Sequence, residues 1–156
     1  MCGIAGFWGD RRCALGIGER MATRIESRGP DGAGVWGDHD AGLVLAHRRL
    51  SILDLSPAGH QPMHSPCDRY VLAYNGEIYN HLDLRQELEA EGGAFDWRGH
   101  SDTETLLAGL RHWECRAYVA KAQWHVCLRA LGCLGTDSFP GPRQNGGKTT
   151  VLRLQW

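Results

Sequence analysis

The sequence has no apolar run long enough to cross a bilayer as a helix. It has no basic leader either: Asp10-Arg11-Arg12 interrupts the opening apolar stretch, unlike a secretory signal. An excess of charge of one sign is also missing, since the net charge is −1 at pH 7, which gives no support to nucleic-acid or membrane-surface binding. The six cysteines contain no Cys-x-x-Cys pair. His112 with Cys115, or His125 with Cys127, has no second pair at structural zinc spacing, so no metal site is expected. These absences favour the cytoplasm, with reduced thiols. What is present is ordinary for one globular domain: 156 residues, 42% apolar and 22% charged.

The most informative stretch is Met1-Cys2-Gly3-Ile4-Ala5-Gly6-Phe7. Removing Met1 would leave Cys2 with a thiol and a free α-amine. Their ordinary pKa values, about 8.5 and 7.7–8.0, suit a nucleophile and a general base near neutral pH. Taken alone, Cys2 reads as readily as a buried cysteine at the start of a strand, here Cys2 to Trp8.

Leu15 to Ser27 has helical spacing, with Leu15, Met21, Ala22 and Ile25 on one side and Gly18 weakening it. Arg28-Gly29-Pro30-Asp31-Gly32 is a turn. Val35-Trp36 and Leu43 to His47 are strand-like. In an extended Arg48-Arg49 the side chains take opposite faces, so one can reach solvent while the other forks onto a carboxylate; two solvated arginines are the plainer reading. Pro57 to Pro62 is a loop and Arg69 to Tyr74 a strand. Asn75-Gly76 usually marks a tight turn, but with a strand before it and a helical pattern after it another use is open: the Asn75 amide and the Gly76 N–H can cradle an oxyanion. Ile78 to Glu91 is expected to be an amphipathic helix through Leu84 and Leu88, ended by Gly92-Gly93. Phe95 to Arg98 is expected to be a strand. Ser101-Asp102-Thr103-Glu104 has capping-box spacing before a helix, where Asp102 is either a first-turn acid or a partner for a substrate ammonium.

MCGIAGF, RGPDG, LAHRRLSILDLSPAGHQPM, YNGEIYNH and HSDTE, in this order, resemble the class II, N-terminal-nucleophile glutamine amidotransferase domain, and more narrowly the glutaminase half of glutamine-hydrolysing asparagine synthetases. The resemblance covers residues 2–113. It implies an α+β fold, an αββα Ntn-hydrolase sandwich, here incomplete. It implies Cys2 as nucleophile, with Asn75 and Gly76 as the oxyanion hole. It implies Arg49 on the glutamine α-carboxylate, with Leu50, Ser51, Ile52 and Leu53 lining that side, and Glu77 and Asp102 orienting the substrate. L-glutamine is the implied substrate. The implied partner is a synthetase domain or subunit; ATP and magnesium belong there, and no cofactor is expected in this domain. An inactive remnant and a free-standing glutaminase subunit are the alternatives.

After Trp113 the resemblance ends. Residues 114–156 carry six Lys/Arg against two Asp/Glu, whereas the preceding residues carry eleven against sixteen. Gly135 to Gly147 is rich in Gly and Pro, and Gly146-Gly147-Lys148-Thr149 lacks the upstream glycine of a phosphate loop. Read one base out of frame, codons for Gln123 to Gly132 permit NGMFAFALWD, and those for Pro140 to Arg153 permit LARDRMGEKPLYYG. Both strings fit a continuing glutaminase domain. The expectation is therefore a frameshifted, poorly ordered tail and a truncated chain without its synthetase domain.

Overall fold

A computed structural model of the chain describes residues 2–9, 15–68, 70–92, 95–121, 124–125, 131–134 and 149–152; side chains are described for these except 114–120 and those beyond 121. Met1, Arg69, Gly93 and the stretch Gly135 to Gly147 lie outside the described residues, as does most of the sequence that the two out-of-frame strings occupy. The architecture mixes helices with antiparallel strand pairs, as the α+β expectation requires. Among the described residues, no helix is long and apolar enough to cross a membrane.

The chain forms two interleaved units. One comprises Met1–Leu50, His60–Asn75 and Leu128–Trp156; the other comprises Ser51–Gly59 and Gly76–Cys127.

The first unit is built on a three-stranded antiparallel sheet of β1 (Gly3–Trp8), β2 (Gly32–Asp38) and β3 (Leu43–Arg49), in the order β1-β3-β2. As the central strand, β3 is buried from Leu43 to His47 on both faces, which is why it reads as a continuous apolar run. Leu43 and Leu45 pack with Ala73, Ile4 and Trp36. Val44, on the other face, meets α1 (Leu15–Arg24) at Gly18. A Cβ on Gly18 would lie 2.6 Å from Val35 Cγ1 and 2.7 Å from Val44 Cγ1. Gly18 therefore lets the helix approach the sheet closely, which outweighs its poor helix propensity. Leu15, expected on the buried side, is 51% exposed. The helix stops at Arg24, and a single 3-10 turn follows at Glu26–Arg28. β4 (Met63–His64) pairs with β5 (Val71–Leu72), a shorter strand than the one expected over 69–74. β8 (Leu131–Leu134) pairs with β9 (Thr149–Leu152).

In the second unit, β6 (Glu77–Ile78) pairs with β7 (Trp124–His125), and α2 (His81–Ala90) packs on α3 (Asp102–Lys121). Leu84 and Leu88 of α2 and Leu106, Leu107 and Leu110 of α3 are buried, each worth roughly 1.5–3 kcal/mol relative to exposure. The helix expected from Ile78 begins three residues later because Ile78 is a strand residue whose N–H is bonded elsewhere. The strand expected over 95–98 does not form: the Arg98 and Gly99 N–H groups donate to the Glu104 carboxylate instead of to a sheet. The expected boundary at Trp113 falls inside α3, which runs on to Lys121. There Lys121 pairs with Glu87 of α2 and, at 3.5 Å, with Glu91.

Candidate active site

The antiparallel register of β1 on β3, Gly3 opposite Arg48, carries Cys2 to the end of β3. The half-buried Cys2 Sγ accepts the Leu50 N–H at 3.3 Å and lies 3.6 Å from the Leu50 carbonyl oxygen. The backbone of one residue, Leu50, thus offers a donor to a thiolate and an acceptor to a thiol. The two arginines take opposite faces, but Arg48 is largely withdrawn from solvent. Its side chain is 11% exposed, donates from Nε to the Gly29 carbonyl at 3.0 Å and from Nη2 to Glu26 Oε1 at 2.7 Å. Asp31 N–H donates to the Arg49 carbonyl at 3.0 Å, so the Arg28–Gly32 turn is stapled to the end of β3. A Cβ on Gly29 would collide with the Arg48 carbonyl group, so only glycine fits there. Arg49, at the half-buried end of β3, is left on the face opposite Arg48.

Asn75 follows a clamped residue. Tyr74 N–H donates to Gln61 Oε1 at 2.6 Å, and the Tyr74 carbonyl lies 3.1 Å from His47 Nε2. His47 is fully buried, and burial, aided by the nearby charges of His60 and Arg49 and opposed by the Tyr74 bond, lowers its pKa from 6.5 to about 4. The neutral ring must place its proton on Nε2, because a carbonyl can only accept. Nδ1 is then a lone pair, buried and without a hydrogen-bond partner among the described residues. Gly34 completes the clamp: a Cβ there would strike the Gln61 carbonyl oxygen.

The remaining candidates belong to the second unit. Gly76 is half-buried and Glu77 is exposed at the start of β6. Ser51 is half-buried, whereas Ile52 and Leu53 are 62% and 50% exposed. Asp102 is buried in the first turn of α3, yet its carboxylate turns to β6 and accepts the Ile78 N–H at 3.0 Å. Burial raises its pKa above the ordinary value, opposed by bonds from the Ile78 and Thr103 N–H groups and by the nearby His81. Burial conversely lowers the pKa of His81, with Asp102 opposing and Arg85 reinforcing. Within the first unit, then, Cys2 and Leu50 come into direct contact; within the second, Asp102 joins the strand that carries Glu77.

Residues 1–123 match the glutamine amidotransferase domain family. The chain is 41% identical over 120 residues to asparagine synthetase [glutamine-hydrolyzing] 3 of Bacillus subtilis, an overlap covering 73% of this chain and 19% of that protein. It is 38% identical over 111 residues to asparagine synthetase B [glutamine-hydrolyzing] of Escherichia coli, covering 69% of this chain and 19% of that protein. The chain belongs to the glutamine amidotransferase domain family. It corresponds to the amidotransferase half of asparagine synthetases and spans about a fifth of the length of these relatives, 19% in both cases.

This amidotransferase domain rests on buried polar groups that sequence reasoning missed. Asp54 is buried, accepting the Ser56 N–H on Oδ1 at 2.7 Å and the His100 N–H on Oδ2 at 2.8 Å. Arg85 is buried as well. It donates to Thr105 Oγ1 at 2.8 Å, the Gly99 carbonyl at 2.9 Å, the Ser101 carbonyl at 3.0 Å and Glu104 Oε2 at 3.3 Å, with Trp97 stacked 4.1 Å away. Only half of the expected capping box forms. Ser101 Oγ accepts the Glu104 N–H at 3.2 Å, but Glu104 turns its carboxylate to Arg85 and to the Arg98 and Gly99 N–H groups. The available signals were a histidine at the end of an apolar strand, a Gln-Pro pair and an arginine midway along an amphipathic helix; none is specific without the tertiary partners.

Proposed function

We propose that this domain hydrolyses L-glutamine to glutamate and ammonia through a thioester on Cys2. The observation that carries the reading is the Cys2 thiol seated against the Leu50 peptide, at the head of a chain matching the amidotransferase family. Removal of Met1 frees the Cys2 α-amine, which takes the thiol proton directly or through one water. The thiolate attacks the side-chain amide carbon. The oxyanion that develops is held by the Asn75 amide and the Gly76 N–H, and ammonia leaves with the proton the amine carried. Water then cleaves the thioester. Arg49 takes the α-carboxylate, with the Leu50–Leu53 backbone beside it; Asp102 and Glu77 take the ammonium. No cofactor or metal enters these steps.

The finer fold reading is an αββα N-terminal-nucleophile sandwich, acting in the cytoplasm. As in an asparagine synthetase, the ammonia is passed to a synthetase domain or subunit that uses ATP and magnesium to amidate a carboxylate. The tail beyond about residue 113 is read as the out-of-frame continuation of the same domain. One observation favours a second reading, an inactive remnant: the family match stops at residue 123, which leaves the remaining residues of the 156 outside the family pattern. Glutamate release from glutamine by wild type and by Cys2→Ala decides between them. Activity lost in Cys2→Ala with glutamine binding kept supports the enzyme; no activity in either supports the remnant. Resequencing the gene across codons 113–115 tests the tail, and an unchanged frame refutes the sequencing-error account of it.

A further inference from the structure

We infer that Asp54 is a positioning residue that fixes the separation between the two loops gripping the substrate's α-carbon groups; the inference rests on the glutaminase reading above. The segment Ser51–Gly59 is poorly anchored by apolar contact, since Ile52, Leu53 and Leu55 are 62%, 50% and 80% exposed. Its buried side chain is the Asp54 carboxylate, with Gly59 buried at the segment's end. One oxygen ties down its own loop through the Ser56 N–H at 2.7 Å, and the other reaches the His100 N–H at 2.8 Å, two residues before Asp102. The contact is close-packed, because a Cβ on Gly99 would collide with Asp54 Oδ2 and lie 2.8 Å from Ala58 Cβ. Gly99 is itself held from both sides, its carbonyl by Arg85 and its N–H by Glu104, and Glu104 lies in the first turn of α3 with Asp102. A run of part-buried polar contacts therefore connects the loop beside the glutamine carboxylate to the helix turn beside its ammonium. A carboxylate suits this role because the Ser56 and His100 groups it meets are both N–H donors; an amide would turn a donor toward one of them.

The test compares two alkylating agents on the Cys2 thiol of the full chain, read by mass spectrometry of the Cys2 peptide. The glutamine-shaped diazo ketone 6-diazo-5-oxo-L-norleucine needs the α-amino-acid grip, whereas iodoacetamide needs only the thiolate. Asp54→Asn should slow labelling by the diazo ketone about 10-fold or more and leave iodoacetamide within about twofold, as expected when a substrate is misplaced but the nucleophile is intact. Gly99→Ala pushes the same carboxylate from the other side and should give the same selective loss, which covers the case of Asp54→Asn failing to fold. Labelling by the diazo ketone at the wild-type rate in both variants overturns the inference. So does equal slowing of both reagents in both variants, which would mark general damage. A wild-type chain that the diazo ketone never labels, while iodoacetamide does, overturns the glutaminase reading and this role with it.

Discussion

Acidification should destabilise the fold through His47, and Glu, Asp and other histidines can be separated from it by one substitution. His47 is fully buried with its pKa lowered from 6.5 to about 4. In the unfolded chain the ring takes a proton below about 6.5; in the folded chain it does so only near 4. The unfolded state thus binds more protons across this window, so stability is full above pH 6.5 and falls as the pH drops toward 4. These two values imply a loss of roughly 2 kcal/mol between pH 7 and pH 5, and about 3 kcal/mol once the pH is below both. His47→Gln keeps an N–H donor where Nε2 meets the Tyr74 carbonyl and removes the titration. Urea unfolding of wild type and His47→Gln at pH 7, 6 and 5 gives the difference directly. His81, whose pKa is also lowered by burial, and Asp102, whose pKa is raised, contribute to both proteins and cancel in the comparison. Parallel stability curves for the two proteins from pH 7 to pH 5 would refute the account of His47 as a buried neutral donor.

Asn75→Ala should lower the maximal rate of glutamine hydrolysis by about 100–1,000-fold with little change in KM, measured as glutamate released under saturating glutamine; a loss confined to KM would remove Asn75 from the oxyanion site. Asp102 must be ionised to hold an ammonium, and burial raises its pKa above 3.8, so KM for glutamine should begin to rise on acidification at a higher pH than an ordinary aspartate would allow. Asp102→Asn should raise KM by about 10–100-fold and flatten that rise; a pH profile shared with wild type would show that another group controls it.

The sheet was legible because β1, β2 and β3 announce themselves by apolar runs and β-branched or aromatic residues at Val35-Trp36 and Leu43–His47. The errors have tertiary causes. Ile78 has helical neighbours, but its N–H serves the Asp102 carboxylate. Phe95–Arg98 has strand-like composition, but Glu104 takes the N–H groups at its end. Gly18 looks like a defect until Val35 and Val44 are placed against it. The candidate site was named from short motifs, each local in the sequence. The buried polar residues His47, Gln61, Asp54 and the Arg85–Glu104 pair owe their meaning to partners distant in sequence. No local pattern distinguishes a buried glutamine that accepts from Tyr74 from one that faces water.

The pairing order of the sheet sets a clock on maturation. β1, which adjoins Cys2, pairs among the described residues with β3, Leu43–Arg49. During synthesis roughly 40 residues separate the two strands, which at about 5–20 residues per second leaves the N-terminus unpaired for some seconds. An aminopeptidase that is to remove Met1 has that interval to act on a free extended end. Once β3 arrives, Cys2 is drawn against the Leu50 backbone, one residue from the paired strand that begins at Gly3. On the glutaminase reading proposed above, a chain whose β1 docks before trimming would remain a zymogen, its base still locked in a peptide bond.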